Sequence, residues 1–479
     1  MEGVQAALTG SPFHEVGPYR KGKQNMETKK LRLFDVICLA FASFFSIELV
    51  SSQASLGPSM VFCIIVFGGI YLLLHGLICA ELGSTYPDQG GLYVWTDKAF
   101  GPKWAARSTW WYWANVISFV PCTLVTLIIV FQQVLGIELS TLTVTVLAII
   151  GTWLSVGLCC MSLQESKIIS NLGSIMKLVA CLALIGGGIW WLTTNGSANE
   201  FTAETMIPTF DLNLLMLVPV YIYGLTGMDL ISCNAGEMEN PRRDVPRAMA
   251  VSGFVSILVY LLSAVAVLFV LPQGGIDEAS GMIDALLVIY GGSKIAVGLI
   301  TIALLMVYIS YIFSWAIGGN SVALEAGEAG EFPKIFAKTN KAHAPVGPAV
   351  LMGIASTVLM LVYGFTAGSG SDLFWTLLAF TSIIFFFPYI VLSFVLIKLR
   401  KDDPEVERPF AIPGKVLPTV VAVIHAVLLT FAVIGFTIPP EGEDPMTYLI
   451  VVVGGVIITQ IIGELVINHA AKTAAEEEE

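Results

Sequence analysis

Apolar runs of about twenty residues alternate with short polar stretches along almost the whole chain. Coiled as an α-helix, a run of that length matches the thickness of a bilayer core. Barrel strands would alternate polar and apolar positions over about ten residues, and these runs do not alternate. The pattern predicts an all-α membrane protein with twelve transmembrane helices. They fall at residues 33–55, 58–80, 105–136, 141–163, 170–193, 212–237, 248–272, 286–319, 347–366, 372–398, 416–437 and 446–468. The third and eighth runs are long enough to tilt or to project beyond the bilayer. The chain thus divides into a tail at 1–32, a ten-helix core at 33–398 with halves at about 33–193 and 212–398, two accessory helices within 399–468, and an acidic tail at 469–479.

Two spans break the pattern. Span six is apolar up to Tyr223, then reads Gly224-Leu225-Thr226-Gly227, with Asp229 just beyond. Span one carries Glu48, then Ser51, Ser52, Gln53 and Ser55, at mid to outer depth. Glycines alone often serve close helix packing. A carboxylic acid in a membrane segment is costly and marks a functional site by default. The two interruptions lie five spans apart, the offset expected if spans one to five recur, inverted, as spans six to ten. Interrupted helices at corresponding positions of two halves point to the binding site of a transporter. Carbonyls freed at such a break can accept from a substrate ammonium, and freed N–H groups can hold a carboxylate.

Composition agrees: 56% of residues are hydrophobic and 13% charged, and mean hydropathy is +0.81, whereas soluble proteins average about 25% charged residues. The distribution of basic residues adds direction. Six precede span one, and clusters at Lys98–Arg107, Arg242–Arg247, Lys334–Lys341 and Lys398–Lys415 follow spans two, six, eight and ten. Lys167 and Lys472 follow spans four and twelve; the opposite loops contain only Lys294, and Lys177 lies inside span five. Both termini are therefore expected on the cytoplasmic side of the inner (plasma) membrane. The opposite loops are acidic, with Asp277, Glu278, Asp284 and Asp372 among them. Such a surface concentrates cations, although acids also fill outer loops once bases are excluded. Residues 1–32 lack the apolar centre of a signal peptide. The eight cysteines all lie in apolar runs, without metal-ligand spacing, and read as small buried hydrophobes.

The stretches "GLTGMDL" and "GEMENPRRDVPRAM" resemble the sixth-helix signature of the amino acid–polyamine–organocation (APC) superfamily. Glu237, Asn240, Pro241, Arg243, Pro246 and Ala248 match its E-x-x-N-P-x-R-x-x-P-x-A. "AELGSTYPDQGGLYVWTDKAFG" is similar to the family's loop after helix two, and "RPFAIPG" at 408–414 to the stretch before helix eleven. The resemblance implies a LeuT-like, five-plus-five inverted repeat with broken helices 1 and 6, two further helices, and secondary transport of amino acids or amines. Many members carry G-S-G in the first broken helix. Here Ser46-Ile47-Glu48-Leu49-Val50-Ser51-Ser52 stands instead, closer to bacterial amino-acid/amine exchangers of the glutamate/4-aminobutyrate antiporter type. The family's basic residue after helix eight is absent from "GGNSVALEAGEAGEFPKIF". The resemblance also implies that Lys177 stands in for a sodium ion, bracing helix one against helix eight.

The expected substrate-binding residues are Glu48, Ser51, Ser52, Tyr221, Tyr223, Gly224, Thr226, Gly227 and Asp229, with Lys177 and Asp229 coupling binding to movement. Each has a structural alternative. Asp229 could pin the unwound backbone, Glu48 could serve a neighbouring hydroxyl or N–H, and Lys177, about 12 Å into its span, could snorkel to the cytoplasm. The aromatics of "STWWYWANVISFVP" fit an interfacial belt, with Trp113 and Asn115 as alternative substrate contacts. Ser314 and Trp315 are weaker contacts, Glu81 reads as structural, and His75 and Glu464 receive no role.

The function that fits is sodium-independent exchange of an amino acid for an amine by alternating access, a secondary active process without cofactor or metal. A proton-coupled amino acid or polyamine symporter is the alternative, ahead of a sensor or a channel. An enzyme is disfavoured, since no nucleophile stands beside a base. The expected partners are the small-molecule substrate and the lipid bilayer, not nucleic acid. Oligomeric state is open, a homodimer included.

Overall fold

The computed structural model describes Leu33, Ile37 and residues 45–87, 91–160, 163–227, 229, 231, 238–440 and 444–478. The predicted N-terminal tail, Cys38, Cys233 and the signature residue Glu237 lie outside these. Among the described residues the elements are helices throughout, and ten of them are long and apolar enough to cross a bilayer. They are α2 (Gly57–Thr85), α4 (Pro102–Leu135), α5 (Thr141–Cys159), α6 (Leu163–Asn195, apolar from Ile175), α8 (Pro241–Val270), α10 (Lys294–Glu328), α11 (Val346–Thr366), α12 (Gly370–Asp402), α13 (Leu417–Gly435) and α14 (Pro445–Glu478). Between them stand α1 (Leu49–Ala54), α3 (Leu92–Phe100), α7 (Leu212–Tyr223) and α9 (Gly281–Tyr290). The ten long helices correspond to ten of the predicted spans. The other two, one and six, are those in which a break was expected.

Local chemistry accounts for the boundaries. Gly101 adopts a positive φ before Pro102, which opens α4 with its φ already set for a helix. Asp211 caps α7 by accepting from Leu214 N at 2.9 Å, and Ser369 caps α12 by accepting from Asp372 N at 3.1 Å. The run predicted at 286–319 proves to be two helices. α9 stops at Tyr290, and Ser293 then caps α10, accepting from Ala296 N at 3.3 Å. An apolar run does not record such a turn, because Gly291 and Gly292 are compatible with a membrane helix. The acidic tail is also not a loose appendage, since α14 continues to Glu478.

α4 and α12 are enclosed nearly throughout and pack along each other, with α10 against α6 and α4. α13 and α14 leave most of their apolar side chains outside, as lipid-facing helices do. Helix three's aromatics are not an interfacial belt: Trp110, Trp111 and Trp113 are buried. Trp110 Nε1 donates to Thr459 O at 3.0 Å and Trp111 Nε1 to Gln460 Oε1 at 2.6 Å, both on α14. Trp113 Nε1 donates to Asn320 Oδ1 on α10 at 3.0 Å. One turn below, Arg107 grips Glu464 through two hydrogen bonds of 2.5 and 3.0 Å. Glu464 thus has a partner, and the polar residues of the last helix attach it to α4.

The family-like loop before α13 is held in a similar way. Glu81, buried at the end of α2, accepts from Arg400 Nε and a second Arg400 nitrogen at 2.6 Å each, and from Ile412 N at 2.8 Å. Arg408 lies 3.4 Å away. A buried carboxylate is tolerated when its charge and lone pairs are all matched, so Glu81 anchors the "RPFAIPG" segment to the core, the structural role expected for it.

Candidate functional site

Both breaks are present and face one another. In the first span the backbone is non-helical at Phe45–Ser46 and turns through Ile47–Glu48 before α1 begins. In the sixth, α7 ends at Tyr223, Gly224 and Leu225 form a turn, and Gly227 adopts a φ of 96°. That dihedral is strained for any side chain, which explains the second glycine. The first answers a different need. A Cβ at Gly224 would lie 3.1 Å from Gln53 Nε2, 3.2 Å from Leu49 Cδ1 and 3.2 Å from the Tyr260 hydroxyl. The turn therefore rests on α1 so closely that a methyl group would fit only if these side chains gave way by a few tenths of an ångström.

Backbone groups released at a break must find partners in the protein. Tyr260 on α8 provides for Ser46 in both senses: its hydroxyl accepts from Ser46 N at 2.7 Å and lies 3.1 Å from Ser46 O, to which it donates. The Lys177 ammonium donates to Phe45 O at 2.7 Å and lies 4.3 Å from the centre of the Tyr311 ring. It is 3% exposed, so it does not snorkel. It reaches from α6 to the first break and to α10, the bracing position that the resemblance implied. Ser46 Oγ completes the group at 2.5 Å from the Tyr311 hydroxyl.

A small cavity opens between the breaks, lined by Ser46, Phe119, Tyr223, Thr226, Tyr311, Trp315 and Phe385. Five of the seven are aromatic. Tyr311 and Trp315 are four residues apart and so share one face of α10. Aromatic rings attract a cation placed over their faces. Thr226 Oγ1 donates to Tyr223 O at 2.7 Å, closing the end of α7. Glu48 is buried two residues beyond Ser46, and its Oε2 has no hydrogen-bond partner. Lys177 is the opposite charge that bears on it. Asp229 is buried on the far side of the Gly227 turn, where Oδ1 accepts from the Tyr389 hydroxyl of α12 at 2.8 Å.

The residues expected to bind substrate divide into two groups. Tyr223 and Thr226 line the cavity, while Gly224 and Gly227 shape its wall. Ser51, Ser52 and Tyr221 are buried but turned elsewhere. Met282 N donates to Ser51 Oγ at 2.8 Å, and Ser52 Oγ donates to Glu278 O at 2.9 Å, so both serine hydroxyls hold the segment around the start of α9. Tyr221 donates to Gln53 O at 2.8 Å, tying α7 to α1. Trp315 reaches the cavity, whereas Ser314 is exposed and does not line it, and Asn115 is bound to Thr381 at 2.7 Å. Ser46, Phe119, Tyr311 and Phe385 escaped the sequence reading, as did Tyr260 behind them. Their one available signal was the spacing of Tyr311 from Trp315.

Among the described residues no group of three His, Cys, Asp or Glu side chains is placed to hold a metal ion. The amino acid permease family profile matches residues 31–457. A probable agmatine/putrescine antiporter, AguD, of Lactococcus lactis subsp. lactis is 31% identical over 446 residues, covering 92% of this chain and 95% of the relative. A glutamate/gamma-aminobutyrate antiporter of the same organism is 22% identical over 455 residues, covering 91% and 90%. In fold the chain is similar to the Eremococcus coleocola manganese transporter, solved in complex with an aromatic bis-isothiourea substituted compound. The TM-score is 0.54 and the identity 11%, with 91% of each chain covered. The glycine break, the loop after α2 and the segment before α13 that first suggested the APC superfamily thus lie in a chain that belongs to the amino acid permease family, and this protein is a membrane transporter rather than an enzyme.

Proposed function

We propose that this transporter exchanges an amino acid for an amine, without sodium, at the cavity between the two breaks. The observation that carries the reading is Glu48: a buried carboxylate with one oxygen unpartnered, two residues from Ser46 in the cavity wall. A lone carboxylate oxygen in a low-dielectric interior calls for a cationic donor, and an aromatic lining suits the same ligand. Two relatives are named as antiporters of amines or of an amino acid and its amine, which supports exchange. In this reading the chain crosses the inner (plasma) membrane twelve times with both termini cytoplasmic. Spans one to five and six to ten form the inverted repeat, and α13 and α14 are accessory. Lys177 occupies the position of a coupling cation, its ammonium fixed between the first break and α10.

Substrate binding to purified protein tests this. Agmatine, putrescine, glutamate and 4-aminobutyrate are titrated against wild type and Glu48→Gln. A charge-assisted hydrogen bond is worth roughly 1.5–3 kcal/mol, so its loss weakens amine binding about ten- to a hundredfold. The loss is greatest for a ligand without a carboxylate, which is held by its cation alone. Equal affinities of the two proteins for every compound would show that Glu48 serves Lys177 and not the ligand.

A further inference from the structure

Behind Asp229 lies a second polar cluster that the exchange reading leaves unused. His75 on α2 and His425 on α13 are both fully buried, with His75 Nδ1 and His425 Nε2 3.1 Å apart. One of these nitrogens carries the proton and the other accepts it. The remaining ring nitrogens are engaged as well. His425 Nδ1 lies 2.8 Å from Ser393 Oγ on α12, and His75 Nε2 lies 3.4 Å from Cys79 Sγ. A single set of protons satisfies all of these contacts. Cys79 S–H donates to His75 Nε2, His75 Nδ1–H to His425 Nε2, and His425 Nδ1–H to Ser393 Oγ. Ser393 O–H then donates to Tyr389 O at 3.4 Å. Tyr71 stacks on both imidazoles, at 5.1 and 5.6 Å.

The chain of hydrogen bonds ends on Tyr389, whose hydroxyl holds Asp229. The His75 ring also meets the Tyr389 ring edge-on, with centroids 4.9 Å apart and planes at 86°. Tyr389 is thus fixed on two sides: its carbonyl by the serine and its ring by the histidine. A polar cluster in a membrane interior is costly unless all its members are satisfied. Once satisfied, it holds its members in one arrangement more firmly than apolar packing does. Its position on α13 is informative, because that helix contributes nothing to the cavity lining.

We propose that His75 and His425 are positioning residues for transport: they fix Tyr389, and through its hydroxyl they set the orientation of the Asp229 carboxylate. α13 thereby acts on the broken helix without touching substrate. The inference rests on the exchange reading for its transport readout, but not for its spectroscopic one.

The test uses full-length protein carrying His425→Phe, His425→Gln, Tyr389→Phe, or His425→Phe together with Tyr389→Phe. Each of Tyr389→Phe and His425→Phe is expected to lower the exchange rate about tenfold, as loss of one hydrogen bond does. His425→Gln keeps a donor and an acceptor and recovers most of the rate. Because the histidine acts through the tyrosine hydroxyl, the double variant is no slower than Tyr389→Phe alone. A purely structural histidine would instead multiply the losses to about a hundredfold. The infrared band of Asp229, assigned by its disappearance in Asp229→Asn, shifts in His425→Phe and in Ser393→Ala. An unshifted band in folded variants, or multiplying losses, overturns the proposal. If wild-type protein exchanges nothing, the functional reading fails, and the infrared band still decides the role of the histidines.

Discussion

Asp229 lies beyond the Gly227 turn, where its carboxyl accepts from the Tyr389 hydroxyl. An amide at that position keeps an oxygen that accepts the same hydrogen bond. Asp229→Asn is therefore expected to insert and to keep its thermal stability within a few degrees, while losing most exchange. Wild-type uptake by a well-folded variant would remove Asp229 from the mechanism. The sequence exposed this residue because an acid beside two glycines is conspicuous in an apolar run. Ser51 and Ser52 were conspicuous for the same reason, yet their hydroxyls hold the segment around the start of α9. Polarity in the sequence marks where partners are needed, not which partners they are. Tyr311, Phe119 and Phe385 were hidden by the opposite effect, since an aromatic residue in a membrane helix looks like packing.

The short helices and the segments around them concern the movements between states. Lys177 joins α6, the first break and α10 by a 2.7 Å hydrogen bond and a ring contact. Lys177→Met removes a buried donor and leaves Phe45 O without it, an effect of about 1–3 kcal/mol. Its expected outcome is a lower melting temperature and loss of exchange; a variant that keeps both the wild-type melting temperature and the wild-type exchange rate would refute the bracing role. The segment leading to α9 packs over α1. Burial, reinforced by Asp277 and Asp372, raises the Glu278 carboxyl to about 7. Because the folded value lies above the unfolded one, the neutral form favours the folded state. The stabilisation is complete below the unfolded pKa and is lost as pH rises through about 7. Melting temperature should therefore fall between about pH 4.5 and pH 7 and level off above, and Glu278→Gln should flatten that part of the profile. An unchanged profile would assign the titration elsewhere. The second break was legible to the residue. The first was placed at Ser46–Ser52, and the non-helical segment covers its start, Phe45 to Glu48, while Ser51, Ser52 and Gln53 belong to α1.

For the chain as a whole, the helical class and ten of the apolar spans could be read from run length because lipid forbids unpaired backbone. Long-range partners could not. Glu464 meets Arg107 and His75 meets His425 only because α14 and α13 return to the core. The functional account joins these parts into one exchange site between two breaks, with the lysine in the place of a metal ion. Counterflow in proteoliposomes measures that exchange. Vesicles loaded with agmatine or putrescine, in choline medium free of sodium, should take up labelled amine or amino acid several-fold faster than empty vesicles. Uptake that is equal in loaded and empty vesicles, or that requires sodium, would contradict the account.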